Sequence, residues 1–149
     1  GSDFELVAWS QGEVRHNVWY SKENGEAPAA RKRLMYVLGK ALDLEFALRG
    51  VAIATKKAGY AVSMAKRAKR AENALKKIAK IVDSPEIGAI LEAAAGVKLK
   101  LDNEAPLTAA ADKVAAAARA FAEGYDGAAF AALDSLLPAT GDYRGKVFR

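Results

Sequence analysis

A long helical pattern from Val51 to Asp83 constrains the fold of this chain more than any other feature of its sequence. Small and apolar residues recur there at alternating steps of three and four, which is the spacing of a packed helical seam. The residues of this seam are Ala54, Ala61, Met64, Ala68, Ala71, Leu75, Ile78 and Val82, and only Lys57 interrupts the series. Because most of these side chains are small, the pattern predicts a helix that packs closely against its neighbours.

The opposite side of the same predicted helix is strongly basic. Ten Lys or Arg and one Asp or Glu lie between Arg49 and Ile81, a local charge of +9, whereas the rest of the chain has 13 bases and 17 acids. This face predicts a set of anion- or partner-binding residues: Lys66, Arg67, Lys69, Arg70, Lys76, Lys77 and Lys80. The alternative is that acids of neighbouring helices neutralise the face. Base-reading side chains are almost missing from it, so any nucleic-acid binding is expected to be sequence-independent.

Composition excludes several classes of site. The 149 residues are enough for one domain, 1–149, with a real core. Cysteine is missing, which excludes disulfides, thiolate metal sites and thiol nucleophiles. No apolar stretch is long enough for a transmembrane segment, so a soluble protein is predicted. The opening Gly1-Ser2 is typical of a cleaved tag, which predicts that the true N-terminus has been removed; the compartment is left open.

The segment from Asp3 to Tyr20 has two interpretations. Its apolar spacing fits a helix, but Phe4–Trp9 and Val14–Tyr20 also fit a β-hairpin, and we favour the helix because an isolated hairpin is marginally stable. The segment carries the predicted partner-binding aromatics, Trp9, His16, Trp19 and Tyr20. A lone histidine without neighbouring ligands or a nucleophile does not predict a metal site or a catalytic centre.

A buried central helix is predicted from Ala29 to Leu48, followed by a break at Arg49-Gly50. Its apolar residues, which include Leu42 and Phe46, occupy more than one side, so we expect this helix to be covered on more than one side. Gly39 and Gly59 are expected to allow close helix crossings.

The same predicted helix carries charged residues. Asp43 and Glu45 are two apart and do not share a face, so we expect them to pair with Arg or Lys or to point outward. The cations Arg31, Lys32 and Arg33 crowd the first turn, where the helix dipole disfavours them, and this suggests a second anion site.

The second half of the chain has clearer start and stop signals. Ser84-Pro85 begins a short helix that ends at Gly96, and a longer helix follows Pro106 and ends at Gly124. The alternating residues 97–101 fit a connector better than a single strand. Asp126 is expected to cap a last short helix that Pro138 stops, and 139–149 are predicted to form a loosely held tail.

Together these patterns predict a mainly α-helical, alanine-rich bundle of four to six helices. No phosphate loop, dinucleotide fingerprint or nucleophile elbow is found, so no cofactor and no metal are predicted. The favoured function is a non-enzymatic helical interaction module that binds a protein partner or itself as a homo-oligomer. Two alternatives stay open: binding of nucleic acid or an anionic surface through the basic helix, and an enzyme that uses scattered carboxylates, namely Glu13, Glu23, Asp43 and Glu45, with His16.

Overall fold

The computed structural model describes residues 4–12, 15 and 25–145. Five α-helices lie in this part of the chain: α1 (Leu6–Ser10), α2 (Ala29–Ala52), α3 (Gly59–Ala79), α4 (Pro85–Ala95) and α5 (Glu104–Gly124). Two short 3₁₀ helices follow, Ala131–Leu136 and Thr140–Asp142. No strand occurs among the described residues, and the prediction of a mainly α-helical bundle of four to six helices is confirmed.

The ends of α4 follow directly from its sequence. The Ser84 hydroxyl accepts a hydrogen bond from the Ile87 amide at 3.4 Å, and Pro85 occupies the first turn. Gly96 ends the helix. The predicted start and stop of this helix are therefore confirmed.

The boundary between α2 and α3 differs from the prediction. Gly50 lies inside α2, which continues to Ala52, and residues 53–58 form the break. A glycine keeps its backbone N–H and costs a helix interior only about 1 kcal/mol, so α2 can continue through Gly50. Helix α3 consequently covers Gly59–Ala79 rather than the whole of Val51–Asp83.

Two ambiguous segments also have defined structures. In the range Phe4–Trp9, for which a hairpin strand was the alternative, the structure has α1, in line with the favoured helix, and the Glu5 carboxylate accepts a hydrogen bond from the Ala8 amide at 2.7 Å. The second predicted strand, Val14–Tyr20, lies outside the described residues apart from Arg15. Residues 97–101 form a connector, with a turn in which the Lys100 amide donates to the Lys98 carbonyl.

The described residues group into two compact units. Unit 1 contains Gly1–Gly39 and Tyr125–Arg149, and unit 2 contains Lys40–Gly124. One boundary falls inside α2 and the other directly follows α5. The assignment of the whole chain to one domain stays a prediction.

Unit 1 is organised by backbone contacts that leave no room for side chains. A Cβ at Gly127, where φ is +84°, would lie 2.1 Å from the Ala30 carbonyl oxygen. Only glycine fits this combination of positive φ and close approach. The Arg144 amide donates to the Ala8 carbonyl at 3.0 Å. Part of the predicted tail therefore has a backbone partner, while its looseness stays a prediction and 146–149 lie outside the described residues.

The cations at the start of α2 are paired within unit 1. The Lys32 ammonium donates to the Glu26 carboxylate at 3.0 Å, and the Arg33 guanidinium donates to both oxygens of Asp134 at 2.7 Å. These carboxylates supply the compensation that the first turn of α2 lacks in its own sequence. The suggestion of a second anion site therefore loses two of its three cations.

Unit 2 has a core in which α4 packs on α5 and α3 packs on α4. The largest side chains with essentially no exposure are Leu44, Leu48, Leu75, Ile78, Ile87, Ile90, Leu107 and Phe121. The buried alanines of α3 belong to the predicted seam, which confirms that this side of the helix faces the protein interior: Ala61, Ala68 and Ala71.

Candidate interaction surfaces on α2 and α3

Two contacts between α2 and α3 show that these helices run in opposite directions. The Arg67 side chain of α3 hydrogen-bonds Asp43 of α2, and earlier in α3 Met64 lies against Gly50 of α2. Moving forward along α2 therefore means moving backward along α3. Gly50 takes the role that we predicted for Gly59, which has no atom within 4 Å of a built Cβ.

At least three of the seven predicted cationic residues are engaged in ion pairs within unit 2. Arg67 pairs with Asp43, while Lys69 and Lys76 donate to the two oxygens of Glu72 at 2.9 and 2.6 Å. The hydrogen bond from Lys76, followed by that from Lys69, lowers the pKa of Glu72 below its usual value of 4.5. Acidic side chains of the same unit therefore neutralise part of the predicted cationic set.

The exposed members of the predicted set form a basic face, which we define as Lys66, Lys69, Arg70, Lys76, Lys77 and Lys80. Within the described part of the chain, no ion pair joins an acid to Lys66, Lys77 or Lys80. Seven bases and one acid lie between 66 and 80, which leaves a formal charge of +6 on this stretch. The face is consequently basic even after its internal pairing.

A second surface, the apolar stripe, consists of Leu42 and Phe46 on α2 and of Ile53, which directly follows the helix and whose amide still donates to the Arg49 carbonyl. These side chains are 42%, 57% and 66% exposed. At 100° per residue they fall within an arc of about 40°, and they extend over about 16 Å of the helix. The prediction that α2 is covered on more than one side is wrong here, because Leu42 and Phe46 face solvent.

The apolar stripe is the surface that sequence reasoning missed. The sequence pattern did contain an indication of it, because Leu42 and Phe46 lie beyond the main apolar side of the predicted helix. An apolar residue beyond the main stripe of a helix fits both a second internal neighbour and an external partner. Sequence spacing alone does not separate those two cases, whereas the exposure of the side chains does.

Of the predicted partner-binding aromatics, only Trp9 lies within the described residues; His16, Trp19 and Tyr20 do not. Trp9 is 40% exposed, and its ring centroid is 5.7 Å from that of Phe4, which is also exposed. This pair belongs to unit 1. The structure therefore presents one exposed aromatic pair there and leaves the larger predicted cluster untested.

The two described carboxylates of the enzyme hypothesis are both occupied by arginine. Asp43 accepts from Arg67, and the buried Glu45 accepts from Arg49 at 3.0 Å, as we expected for carboxylates in this helix. Arg49 also donates to Asp112 on α5 at 2.8 Å. Among the residues that the structure describes, no cluster of three or more His, Asp or Glu has the grouping of a metal site.

None of the helices in the described ranges is both long enough and apolar enough to span a lipid bilayer. Comparison of the chain with protein-family models, with curated proteins and with solved structures gives no match.

Proposed function

We propose that this chain is a non-enzymatic helical interaction module that binds a protein partner through the apolar stripe. The observation that carries the proposal is the alignment of exposed Leu42, Phe46 and Ile53 along one line of α2 and the residue that follows it. Single exposed apolar residues are normal on any protein, but three that align within a narrow arc form a candidate docking surface. A row three turns long matches the mode in which a helix or an extended segment is bound by an apolar surface.

The central residue of the apolar stripe is also its best candidate for an anchor. Large aromatic side chains dominate the energetics of many interfaces, and the row places Phe46 between Leu42 and Ile53. Burying the exposed half of three such side chains contributes roughly 1 kcal/mol each. That sum is smaller than the roughly 4–15 kcal/mol that association costs in lost freedom, so a stable complex also needs polar contacts at the edges of the stripe.

A charge placed in the stripe tests the proposal. We expect Phe46→Asp to abolish association while the helix content stays unchanged, because an exposed side chain contributes little to the fold. Val62→Asp is the matched control. Val62 is also an exposed apolar residue, but it lies two positions after Tyr60, which approaches Gly50, and therefore about 200° round α3 from the α2 side.

The measurement has two parts. Sedimentation velocity over a concentration series reports binding to a second copy, and quantitative capture on the immobilised chain reports binding to other proteins. Loss of either association in Phe46→Asp, with retention in Val62→Asp, supports the proposal and identifies the class of occupant. Association that is equal in both variants would refute the apolar stripe as the binding surface.

The second candidate function is sequence-independent binding of nucleic acid through the basic face. The observation that favours it is the exposure of Lys66, Lys77 and Lys80 without acidic partners in the described part of the chain. Such a face spans roughly 20 Å and can approach several phosphates at once. Among the described residues nothing comparable favours the enzyme alternative, since Asp43 and Glu45 both form ion pairs.

A further inference from the structure

The apolar stripe lies beside a basic edge of α3. Asp43 and Gly50 contact α3, and Phe46 lies between them on α2, three residues after the first and four before the second. The stripe is therefore displaced by less than a quarter-turn from the line along which α2 meets α3. A ligand laid on the stripe would consequently touch the neighbouring edge of α3.

The edge of α3 beside Phe46 carries Arg67. The Arg67 side chain is 35% exposed, and its Nε and Nη2 atoms donate to Asp43. A guanidinium has five N–H donors, so Arg67 retains donors for a second carboxylate, and the exposed Arg70 follows one turn later. On the other side of the stripe, Arg49 is already shared between Glu45 and Asp112. Residues 66–80 carry seven bases and one acid, so the α3 side of the stripe is positive overall, whereas Arg49 on the α5 side is shared between two carboxylates.

We propose that the partner of the apolar stripe is an amphipathic helix with carboxylates along one flank. Its apolar side chains would cover Leu42, Phe46 and Ile53, and its Asp or Glu residues would face Arg67 on the basic edge of α3. Charge complementarity favours this occupant over a second copy that brings its own basic α3 to the same place. The inference rests on the proposed function and specifies the chemistry of the partner at the same site.

Three synthetic peptides of about 18 residues, long enough to cover the stripe, test the inference. The first carries Leu at helical spacing with Glu elsewhere, the second replaces each Glu by Lys, and the third keeps Glu and replaces each Leu by Ser. Fluorescence anisotropy with the whole chain measures the affinity of each peptide over a salt series. We expect the first peptide to bind at least about tenfold more tightly than either of the others.

Variants assign this binding to the two surfaces. Phe46→Asp is expected to weaken the first peptide at least about tenfold, and Arg67→Gln about three- to tenfold with a shallower salt dependence. Ile53→Ser provides a second test of the stripe if Phe46→Asp fails to fold. The controls are Val62→Asp and Lys100→Gln, which change an exposed apolar residue and an exposed cation elsewhere in unit 2; we expect less than about a twofold effect from each.

Equal binding of the Glu and Lys peptides, lost in Phe46→Asp, would overturn the acidic partner but leave the stripe as a docking surface. Equal binding of the Leu and Ser peptides would show that the affinity depends on peptide charge alone, and this would also overturn the inference. Failure of all three peptides, with self-association that Phe46→Asp abolishes, would replace the acidic helix by a second copy. These outcomes distinguish failure of the apolar stripe as a docking surface from failure of the acidic helix as its partner.

Discussion

Gly50 of α2 lies directly under Met64 of α3. A Cβ built on Gly50 would be 2.6 Å from the Met64 Cγ atom and 2.9 Å from its Sδ atom, closer than real Cβ contacts. Met64 is a member of the small-residue seam, so the seam and this glycine together set how closely α2 and α3 approach. The same approach places the apolar stripe beside the arginine edge of α3.

The close approach predicts opposite effects for two glycine substitutions. Alanine normally stabilises a helix interior relative to glycine by up to about 1 kcal/mol. At Gly88 in α4 nothing lies within 4 Å, so Gly88→Ala is expected to raise the free energy of unfolding by about 0.5–1 kcal/mol. At Gly50 overpacking against Met64 outweighs that gain, and we expect Gly50→Ala to lower it by about 1 kcal/mol.

Urea denaturation measures both free energies. Because the two variants make the same chemical change inside a helix, Gly88→Ala controls for helix propensity. Stabilisation of similar size in both would show that Met64 moves aside at no cost, and the account of the α2–α3 contact would then be wrong.

Sequence periodicity was sufficient where a segment carries its own start, stop and buried face. Ser84, Pro85 and Gly96 defined α4 without reference to the rest of the chain, and the seam of α3 identified its buried side. Gly50 is a position where the sequence pattern did not predict the helix end correctly. Whether a glycine ends a helix or admits a neighbour depends on what packs against it, and Met64 is fourteen residues away in sequence.

The candidate surfaces were predictable to different degrees. The cations of α3 could be identified from the sequence, but their pairing could not, since Arg67 meets an acid of another helix while Lys69 and Lys76 share Glu72. The apolar stripe depends on what remains uncovered after folding. A pattern of apolar residues specifies that a face is apolar, and only the tertiary structure specifies whether another element covers it.

A buried glutamine predicts a large local effect in unit 1. Gln11 is fully buried, and its Oε1 atom accepts a hydrogen bond from the Ala27 amide at 2.7 Å. Removing the acceptor leaves a buried N–H without this partner, which costs about 1–3 kcal/mol. We therefore expect Gln11→Met, which preserves much of the volume, to lower the free energy of unfolding by that amount in urea denaturation.

Gln11→Ala adds a cavity to the same lost hydrogen bond, so it should be the more damaging of the two variants. Ser10→Ala removes only the hydroxyl that accepts from the Gln11 side-chain amide at 3.0 Å, and about 1 kcal/mol or less is expected from it. A neutral Gln11→Met would contradict a stabilising role for the Ala27 hydrogen bond.

The carboxylate of Glu72 predicts a dependence of stability on pH. Its pKa is lower in the folded chain than its usual 4.5, through the hydrogen bonds from Lys76 and Lys69. Its ion pairs therefore contribute stability above about pH 4.5, and this contribution is lost as the pH falls through the folded pKa. Near neutral pH we expect Glu72→Gln to lower the free energy of unfolding by about 1 kcal/mol.

Urea denaturation at a series of pH values tests this sign. The difference between Glu72→Gln and the wild type should shrink as the pH falls below about 4.5, because protonation removes the same charge from the wild type. Glu123→Gln, at an exposed position on α5, is the control and should stay within about 0.5 kcal/mol of the wild type near neutral pH. A difference between Glu72→Gln and wild type that does not change with pH would mean that the charge of Glu72 is not what stabilises the fold.

The basic face predicts a specific salt dependence if the chain binds nucleic acid. Lys66, Lys77 and Lys80 are the informative positions, because their replacement breaks no ion pair among the described residues. Arg67 is less suitable, since a glutamate there would face Asp43. Each phosphate contact adds nearly one unit to the slope of log affinity against log salt concentration. Replacing the three lysines by glutamine should therefore lower the slope for duplex DNA by up to about three units.

A second triple variant separates the arrangement of the charges from their number. Lys98, Lys100 and Lys113 are also exposed in unit 2, and their replacement by glutamine changes the net charge equally. Affinity for a random-sequence duplex is measured for both triples by fluorescence anisotropy over a salt series. We expect the slope to fall only in the variant of the basic face, with unchanged helix content. Equal losses in both triples would show that DNA responds to net charge alone, and the basic face would then have no role as a binding surface.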